Sequence, residues 1–465
     1  EASLLLGLYE QSEGNFEDAE YYFLKLNSPS EENLYYNDFL GNFLIAWSKA
    51  SQKKYNEANK YLDNISGRYE NIKILQRPLL NCFFKKKDKT QILFDKLVIN
   101  ENINFPRYSY LYFNYLIRNK NLDKAKKIIQ DANHKFENSL IIKQTMEDLK
   151  NKEFSKLKSY FNCEIFNNNL SELFYLMSSI FAEEEKNYRL SNFYLNLAVS
   201  FNPKFAHNNV LYIKNFLNTK NYDYTINLLR QLGKAGKVYR WYSIKTETEI
   251  KIRKGETENA LKFLENEFHQ LKYEDHKILF EIASIYMEQE KYEKSIFYYS
   301  KIIENFPQDN VLLAKSYDRR GACYERTGEW EKAENDLKKS LDLRPDEAYV
   351  LNYLAYSWLE QNKKIDEAHE MLIKANMLRE SDPYILDSLA WALHLKGDNK
   401  EAEFYIRKAL IYLPSDPIIS DHYGDILWKL GKNIQARYFW RYVLSHEDTK
   451  EEQIKIIKNK ILKGI

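Results

Sequence analysis

The segment PYILDSLAWALHLKGDNKEAEFYIRKALIYLP, from Pro383 to Pro414, has the pattern of two short amphipathic helices joined by a tight turn. Apolar residues recur at helical spacing as far as Leu393, and Gly397-Asp398-Asn399 then interrupts the pattern. A second apolar stripe follows at Ala402, Ile406, Ala409 and Leu410. Neither helix could bury its apolar face alone, so this pair is expected to pack against further pairs.

The next segment repeats this layout. It begins at Pro417, which is 34 residues after Pro383, and its Gly424 and Ala436 align with Ala390 and Ala402. Small residues where two helices cross let the backbones approach to a close-packed distance. A period of this length with small residues at two fixed places predicts stacked helix-turn-helix units.

The same pattern extends along most of the chain. Near the N-terminus, Gly7 and Ala19 occupy the two small positions and Phe23 packs one turn further on. Six later units are predicted to begin near Trp241, His276, Ala314, Ala348, Pro383 and Pro417. The pattern is weak over 65–104 and 136–170. About four extra residues near 305–311 are expected to lie in a turn, where insertions cost little.

These differences in regularity predict four regions. Divergent repeats cover 1–205, irregular repeats cover 206–275 with a turn or hinge near 233–236, a regular array covers 276–447, and a capping helix covers 448–465. In the capping helix, Thr449 and Glu452 have a capping-box spacing. Its isoleucines, Ile454, Ile457 and Ile461, share one face, and its lysines, Lys455, Lys458, Lys460 and Lys463, are expected to point outward.

Composition limits the class of protein. The chain has 465 residues, 44% apolar and 29% charged, and its net charge of +2 gives no field that would draw it to nucleic acid or to an anionic membrane. No apolar run approaches the ~18 residues that span a bilayer. The three cysteines are far apart and form no CxxC, so neither a disulfide framework nor a zinc site is predicted. Because residue 1 is Glu, the chain is expected to be a fragment or a mature form.

On these motifs the chain resembles the tetratricopeptide repeat (TPR) superfamily over nearly its whole length. The stretch from Ile385 to Trp440 also resembles a group of long, generally exported and uncharacterised bacterial TPR proteins. The resemblance implies an all-α fold, an α-α superhelix or TPR solenoid of roughly 11–13 helix-turn-helix units with a C-terminal capping helix. It also implies a role in protein assembly or envelope maintenance, and it favours the bacterial envelope or periplasm over the cytoplasm.

No pattern of catalytic residues stands out. The eight histidines are scattered without an HExxH, HxH or HxxxH pair, and there is no GxSxG sequence. His394 and His422 are the most interesting of them because both lie on first helices of regular units. The repeats occupy the chain and leave no room for a catalytic domain. The sequence therefore predicts a protein without enzymatic activity, metal, cofactor or small-molecule substrate.

In the TPR family the first helix of each unit lines a concave groove, and fixed positions of that helix point into it. The resemblance implies a partner-binding groove formed by Asp318, Tyr349, Asn352, Tyr356, Tyr384, Asp387, Trp391, His394, Asp421, Asp425 and Trp428. Carboxylates and rings together favour a protein segment that carries Lys or Arg and aromatic or apolar side chains. The alternative is that the rings pack between units and the carboxylates are only solvated.

The leading functional hypothesis is a scaffold or adaptor that helps to assemble a multiprotein complex, with the bacterial envelope as one setting. An alternative is a structural subunit that self-associates. An RNA-binding repeat protein is less favoured, because it would need a basic inner face with stacking aromatics, and this face carries carboxylates.

Overall fold

The computed structural model describes residues 2–26, 37–65, 70–99, 105–183, 186–272, 275–446 and 451–465. All regular elements in these ranges are helices, and the predicted all-α solenoid of helix-turn-helix units is confirmed. Thirteen consecutive helix pairs are followed by one last helix. The chain divides into two compact units, Glu1–Tyr273 and Glu274–Ile465.

The first unit contains eight helix pairs. They are α1 Ala2–Glu13, α2 Phe16–Lys25, α3 Asn37–Ser51, α4 Tyr55–Asp63, α5 Glu70–Phe83, α6 Lys87–Ile99, α7 Pro106–Arg118, α8 Leu122–Lys135, α9 Leu140–Lys150, α10 Phe154–Ser159, α11 Phe166–Glu183, α12 Tyr188–Phe201, α13 Asn208–Asn218, α14 Tyr222–Leu232, α15 Lys237–Arg253 and α16 Thr257–Leu271. Within each pair the two helices pack antiparallel, as the short connections require.

The second unit contains five pairs and the last helix. They are α17 His276–Glu288, α18 Tyr292–Asn305, α19 Asn310–Arg326, α20 Trp330–Leu343, α21 Ala348–Glu360, α22 Ile365–Leu378, α23 Pro383–Lys396, α24 Asn399–Tyr412, α25 Pro417–Lys429, α26 Asn433–Leu444 and α27 Glu451–Lys463. Their first helices begin at or close to the residues that the repeat period predicts.

In each helix pair, the turn between the two helices contains a residue in the left-handed region of backbone conformation. Glycine occupies this place in five pairs, at Gly14, Gly255, Gly328, Gly397 and Gly431, with φ between 78° and 93°. Non-glycine residues occupy it in the other eight, at Lys53, Lys85, Lys120, Lys152, Lys186, Lys220, Glu290 and Asn362. Because glycine is the residue best suited to positive φ, its absence removes a turn signal from much of the first unit.

Small residues mark the helix crossings of the second unit. Ala390, Ala402 and Ala436 are completely buried, and a Cβ atom added to Gly424 would overlap the indole of Trp440. Any larger residue at position 424 would therefore have to displace a buried ring. This close approach is the physical reason for the small positions in the repeat.

The extra residues near 305–311 do not enlarge a turn, contrary to the expectation. Helix α18 ends at Asn305 and α19 already begins at Asn310, so the insertion lengthens α19 to 17 residues. The side chain of Asp309 accepts a hydrogen bond from the backbone N–H of Leu312 and fixes the new start. One additional helical turn satisfies its own backbone hydrogen bonds, whereas a longer loop would not.

The expectation that the cysteines form no disulfide is wrong for two of the three. Cys82 on α5 is bonded to Cys163, which lies between α10 and α11, with 5.7 Å between their Cα atoms. Both are buried, and Cys323 is a buried free thiol. The bridge joins residues 81 positions apart, a separation at which sequence spacing carries no pairing signal.

The glycine-rich segment near 233–236 forms a short 3-10 helix, Gly233–Ala235. The backbone N–H of Val238 donates to Gln144 Oε1 at 3.0 Å, and Tyr160 Oη donates to the carbonyl of Ala235 at 3.1 Å. The turn is thus attached to α9 and to the end of α10. Its role as a hinge stays a prediction.

Among the helices of the described ranges, none combines the length and the apolar composition that a membrane crossing requires.

Candidate functional site

The first helices of the second unit present the residues that the sequence places in a groove. We call this surface the A-helix face, and we define it by the predicted site residues on α19, α21, α23 and α25. The structure brings some of these residues into one buried cluster on α23 and α25 and leaves others around a separate cavity. The two places differ in how their charges are paired.

The centre of the cluster is a contact between Asp387 on α23 and His422 on α25. His422 Nδ1 donates to the two carboxylate oxygens of Asp387 at 2.9 and 3.1 Å. Only 5% of Asp387 and 7% of His422 are exposed, so the pair is shielded from water. The carboxylate of Asp387 is therefore already bound within the chain.

Aromatic rings cover this pair. The ring of Trp391 stacks on His422 with 4.2 Å between centroids and on His394 with 4.9 Å. Tyr356 from α21 lies 6.3 Å from the His422 ring. Trp391, His394 and Tyr356 are all half-buried. These side chains thus pack between neighbouring repeats and also retain a surface toward solvent.

The carboxylates of α25 are bound by the last helix. Lys460 Nζ donates to Asp421 Oδ1 and to Asp425 Oδ2, each at 2.8 Å, and Trp440 Nε1 donates to Asp425 Oδ1 at 3.0 Å. The expectation that Lys460 points outward is therefore wrong. The isoleucine face of α27 packs on α25 and α26, with Ile457 fully buried, and this packing turns Lys460 toward the carboxylates.

Trp428, at the end of α25, lies close to α26 and to the C-terminal end of α27. The guanidinium of Arg437 lies 4.7 Å from its ring, and Arg437 Nε donates to the carbonyl of Ile461 at 2.8 Å. A Cβ atom on Gly464 would overlap the Trp428 ring. The end of the chain is thus packed directly against a predicted groove residue.

Asp318 lies in a different environment, which we call the Asp318 cavity. Its volume is about 580 Å³, and its lining includes Phe280, Tyr299, Asp318, Arg319, Arg344 and Glu347. The Asp318 side chain is 26% exposed, and its Oδ2 lies 3.8 Å from Arg319 Nε, which is longer than a hydrogen bond. Burial, together with the nearby Glu347, raises the pKa of Asp318, and Arg319 only partly opposes this.

The remaining predicted residues lie on α21 and α23. Tyr349 lines the Asp318 cavity, is 52% exposed, and accepts a hydrogen bond from Arg379 at 2.7 Å. Asn352 Oδ1 is buried without a hydrogen-bond partner among the described residues. Tyr384 is 55% exposed and belongs to neither group.

Two residues of the cluster were not among the predicted groove positions. His422 occupies the place after Asp421, and its distance of 35 residues from Asp387 is one repeat plus one residue. That offset is a usable signal, because adjacent first helices place such residues side by side. Lys460 has no comparable signal, since α27 lies outside the repeat period.

The buried pair makes stability depend on pH. Burial lowers the pKa of His422, but the charges of Asp387, Asp421 and Asp425 outweigh this, and the net pKa is raised. The folded chain thus favours the charged imidazolium of His422 more than the unfolded chain does. The contribution of charged His422 to the free energy of unfolding is complete below its unfolded pKa of about 6.5. It is lost as pH rises through the higher pKa of His422 in the folded chain.

We expect His422→Gln to cost about 1.5–3 kcal/mol of unfolding free energy near pH 6.5, the range for hydrogen bonds to charged groups. The cost should shrink as pH rises through the raised pKa of folded His422. Urea unfolding of wild type and variant across this range measures it. His276→Gln is the control, because His276 lies 3.6 Å from Asp309 and both side chains are about a third exposed. A cost for His422→Gln that does not change with pH would contradict the assignment.

No group of His, Cys, Asp or Glu in the described ranges has the arrangement of a metal site. The cluster joins each of its carboxylates to a cation or a ring N–H, which suits packing between neighbouring helices.

Comparison with known proteins agrees with the fold. Residues 248–449 match the family model described as tetratricopeptide repeat. A TPR repeat-containing protein of Pseudomonas aeruginosa is 32% identical over 123 residues, which are 26% of this chain and 20% of that relative. The chain therefore spans only about a fifth of that relative's length.

Solved structures show low similarity. A tetratricopeptide repeat protein from Parabacteroides merdae is 17% identical with a TM-score of 0.38, over 62% of this chain and 98% of that one. PilW, a type IV pilus biogenesis factor, is 17% identical with a TM-score of 0.36, over 41% and 85%. Nothing about function follows from these two likenesses.

The helix pairs, the small residues at their crossings and the matched family model lead to one conclusion. Residues 248–449 of the chain are tetratricopeptide repeats.

Proposed function

We propose that this protein is a non-enzymatic scaffold whose second unit binds a segment of a partner protein at the Asp318 cavity. The observation that carries the proposal is a cavity of about 580 Å³ on the A-helix face with a half-buried carboxylate at its wall. Tetratricopeptide repeats are in general protein-interaction modules. The cavity is the place that we propose for this role.

The chemistry of the cavity favours a segment with a cation. Burial disfavours the charged form of Asp318, and its contact with Arg319 is too long for a hydrogen bond. A Lys or Arg side chain from a partner would supply the missing charge-assisted hydrogen bond. Phe280, Tyr299 and Tyr349 line the same cavity and offer rings against which an apolar or aromatic neighbour could pack.

The other carboxylates of the A-helix face compete poorly for such a cation. Asp387 is bound to His422, and Asp421 and Asp425 are bound to Lys460. Each would have to exchange an existing partner for a new one. We therefore place the first contact of a partner segment at Asp318, and we assign Tyr356, Tyr384, Trp391, His394 and Trp428 to its continuation along the face.

A display library of random dodecapeptides provides the test. Peptides enriched on the wild-type protein are expected to carry Lys or Arg beside an apolar or aromatic residue. Asp318→Lys should weaken their affinity by about thirtyfold or more, because truncating one partner of a desolvated charge pair costs 2–5 kcal/mol. The same variant should enrich peptides with Asp or Glu instead.

Asp342→Lys is the matched control, since it makes the same change of charge at an exposed residue of α20. It should leave peptide affinity unchanged. Enrichment of peptides without a cation, or equal binding by Asp318→Lys and wild type, would rule out this cavity as the binding site. Crosslinking in the native cell with the same three proteins then identifies the natural partner.

We also propose that the chain folds in an oxidising compartment, with the bacterial envelope as the favoured one. The Cys82–Cys163 bond supports this, because structural disulfides persist mainly in such compartments. Alkylation of rapidly quenched native cells under denaturing conditions should modify one thiol per chain. Modification of all three would place the chain in a reducing compartment.

A further inference from the structure

The last helix, α27, occupies the C-terminal end of the A-helix face in the way that a bound segment would. It lies outside the repeat period, and together with Gly464, the residue that follows it, it contacts both α25 and α26. Lys460 reaches Asp421 and Asp425, Gly464 lies against Trp428, and Ile457 is buried beside α26. A cation, an apolar anchor and a contact with an aromatic ring are thus all supplied by one short segment.

This chemistry is the same as that proposed for a partner at Asp318. The side chains of Lys460, Asp421 and Asp425 are 15%, 15% and 8% exposed, so the ion pairs are largely withdrawn from water. If α27 were absent, two adjacent carboxylates would be left without their cation beside Trp428. That surface would have a strong preference for another segment carrying Lys at the same place.

The attachment of α27 is limited in extent. Ile457 is its one fully buried side chain among the described ones, and Ile454 and Ile461 are half-buried. Ile456 and Leu462 are 57% and 76% exposed. Besides these side chains, α27 is held by Lys460, by the hydrogen bond from Arg437 to the Ile461 carbonyl and by the packing of Gly464 on Trp428. A helix with so few attachments can be exchanged for a competing segment with the same contacts more easily than a helix inside the repeats.

We propose that Asp421, Asp425 and Trp428 form a binding site for a lysine-bearing helical segment of a partner protein, and that α27 is the built-in occupant that the partner displaces. The partner segment is expected to repeat the tail's spacing, with an apolar residue, Lys three residues later, and an apolar residue directly after it, as in Ile457, Lys460 and Ile461. This inference rests on the proposed function, because it adds a second contact with a partner, at α25, to the A-helix face that carries the Asp318 cavity.

The test uses the full chain and a labelled synthetic peptide of residues 451–465. Lys460→Met removes the cation of the resident tail and should raise the apparent affinity for the added peptide at least about tenfold over wild type, because the competing occupant is weakened. Lys458→Met is the matched control, since Lys458 is exposed on the same helix, and it should behave as wild type. Adding Asp421→Asn and Asp425→Asn to Lys460→Met should abolish the gain.

A second measurement covers the case in which Lys460→Met is poorly folded. Excess peptide added to the wild-type protein should increase hydrogen exchange in α27 and leave exchange in α25 and α26 unchanged. Equal peptide affinity of wild type and Lys460→Met, or unchanged exchange in α27, would show that α27 is only a cap. Asp318→Lys should not affect binding of the tail peptide. A negative result with the tail peptide is therefore distinguishable from a failure of the Asp318 cavity to bind library peptides.

Discussion

Replacing Cys82 and Cys163 together by alanine is expected to lower the unfolding free energy of the first unit by about 4–5 kcal/mol. The bridge closes a loop between residues 81 positions apart, and the chain-entropy relation gives a value of this size for such a loop. The large value arises because the bridge restricts the unfolded chain over the whole segment from α5 to α10. Urea unfolding followed by circular dichroism measures the loss.

Reduction provides the matching control. Dithiothreitol should shift the wild-type transition close to that of the double variant and leave the variant itself unchanged. Cys323→Ala should keep the response to reduction, because Cys323 is a free thiol in the second unit. A wild-type transition that does not respond to the reductant would show that the bridge does not contribute.

The second large effect is expected at a buried ion pair in the first unit. Arg107 on α7 donates to Glu172 on α11 at 2.7 Å and to Asn208 on α13 at 2.8 Å. The side chains of Arg107 and Glu172 are 6% and 0% exposed, and the guanidinium lies 3.5 Å from the ring of Tyr175. One side chain thus connects helices from the fourth, sixth and seventh helix pairs of the chain.

Arg107→Met should cost about 3–5 kcal/mol, because it leaves the carboxylate of Glu172 buried without its cation. Burial already raises the pKa of Glu172 against the opposing charge of Arg107, and the variant should raise it further. The loss is measured by urea unfolding, and hydrogen exchange should locate it in α7, α11 and α13. The double variant Arg107→Met with Glu172→Leu should recover most of the stability, since no charge is then buried alone.

Lys214→Met serves as the comparison, because Lys214 and Glu183 form an ion pair whose side chains are 58% and 65% exposed. Exposed pairs contribute little, so this variant should lose less than about 1 kcal/mol. An Arg107→Met variant as stable as Lys214→Met would mean that the buried pair does not hold these helices together. Equal losses in the single and the double variant would instead assign the effect to packing.

Helix pairs are visible in the sequence because their signals are local. Ala390 and Ala402 are twelve residues apart, Pro383 and Pro417 are one period apart, and Gly397 marks the turn between two helices. Each signal needs only the geometry of one hairpin. The pattern becomes weak where the turn residue is Lys instead of Gly, as at Lys85 and Lys152, although these residues adopt the same left-handed conformation.

The candidate site shows the limit of this reasoning. The period assigns Asp318, Asp387, Asp421 and Asp425 to first helices, and the structure has them on α19, α23 and α25. It did not specify what each carboxylate contacts. The partner of Asp387 comes from the next repeat, and the partner of Asp421 comes from a helix that does not repeat.

The repeat period and the helical spacing of apolar residues are thus sufficient to establish the all-α solenoid and the approximate start of its regular units. Three features come only from the stacking of helices far apart in the chain: the Cys82–Cys163 bond, the contact of Arg107 with Glu172, and the occupation of the α25 carboxylates by Lys460. The same physical reason explains why the sequence pattern does not predict any of these three contacts. A repeat pattern constrains volume and direction at each position, whereas the pairing of thiols and charges depends on which side chains the completed stack brings within bonding distance.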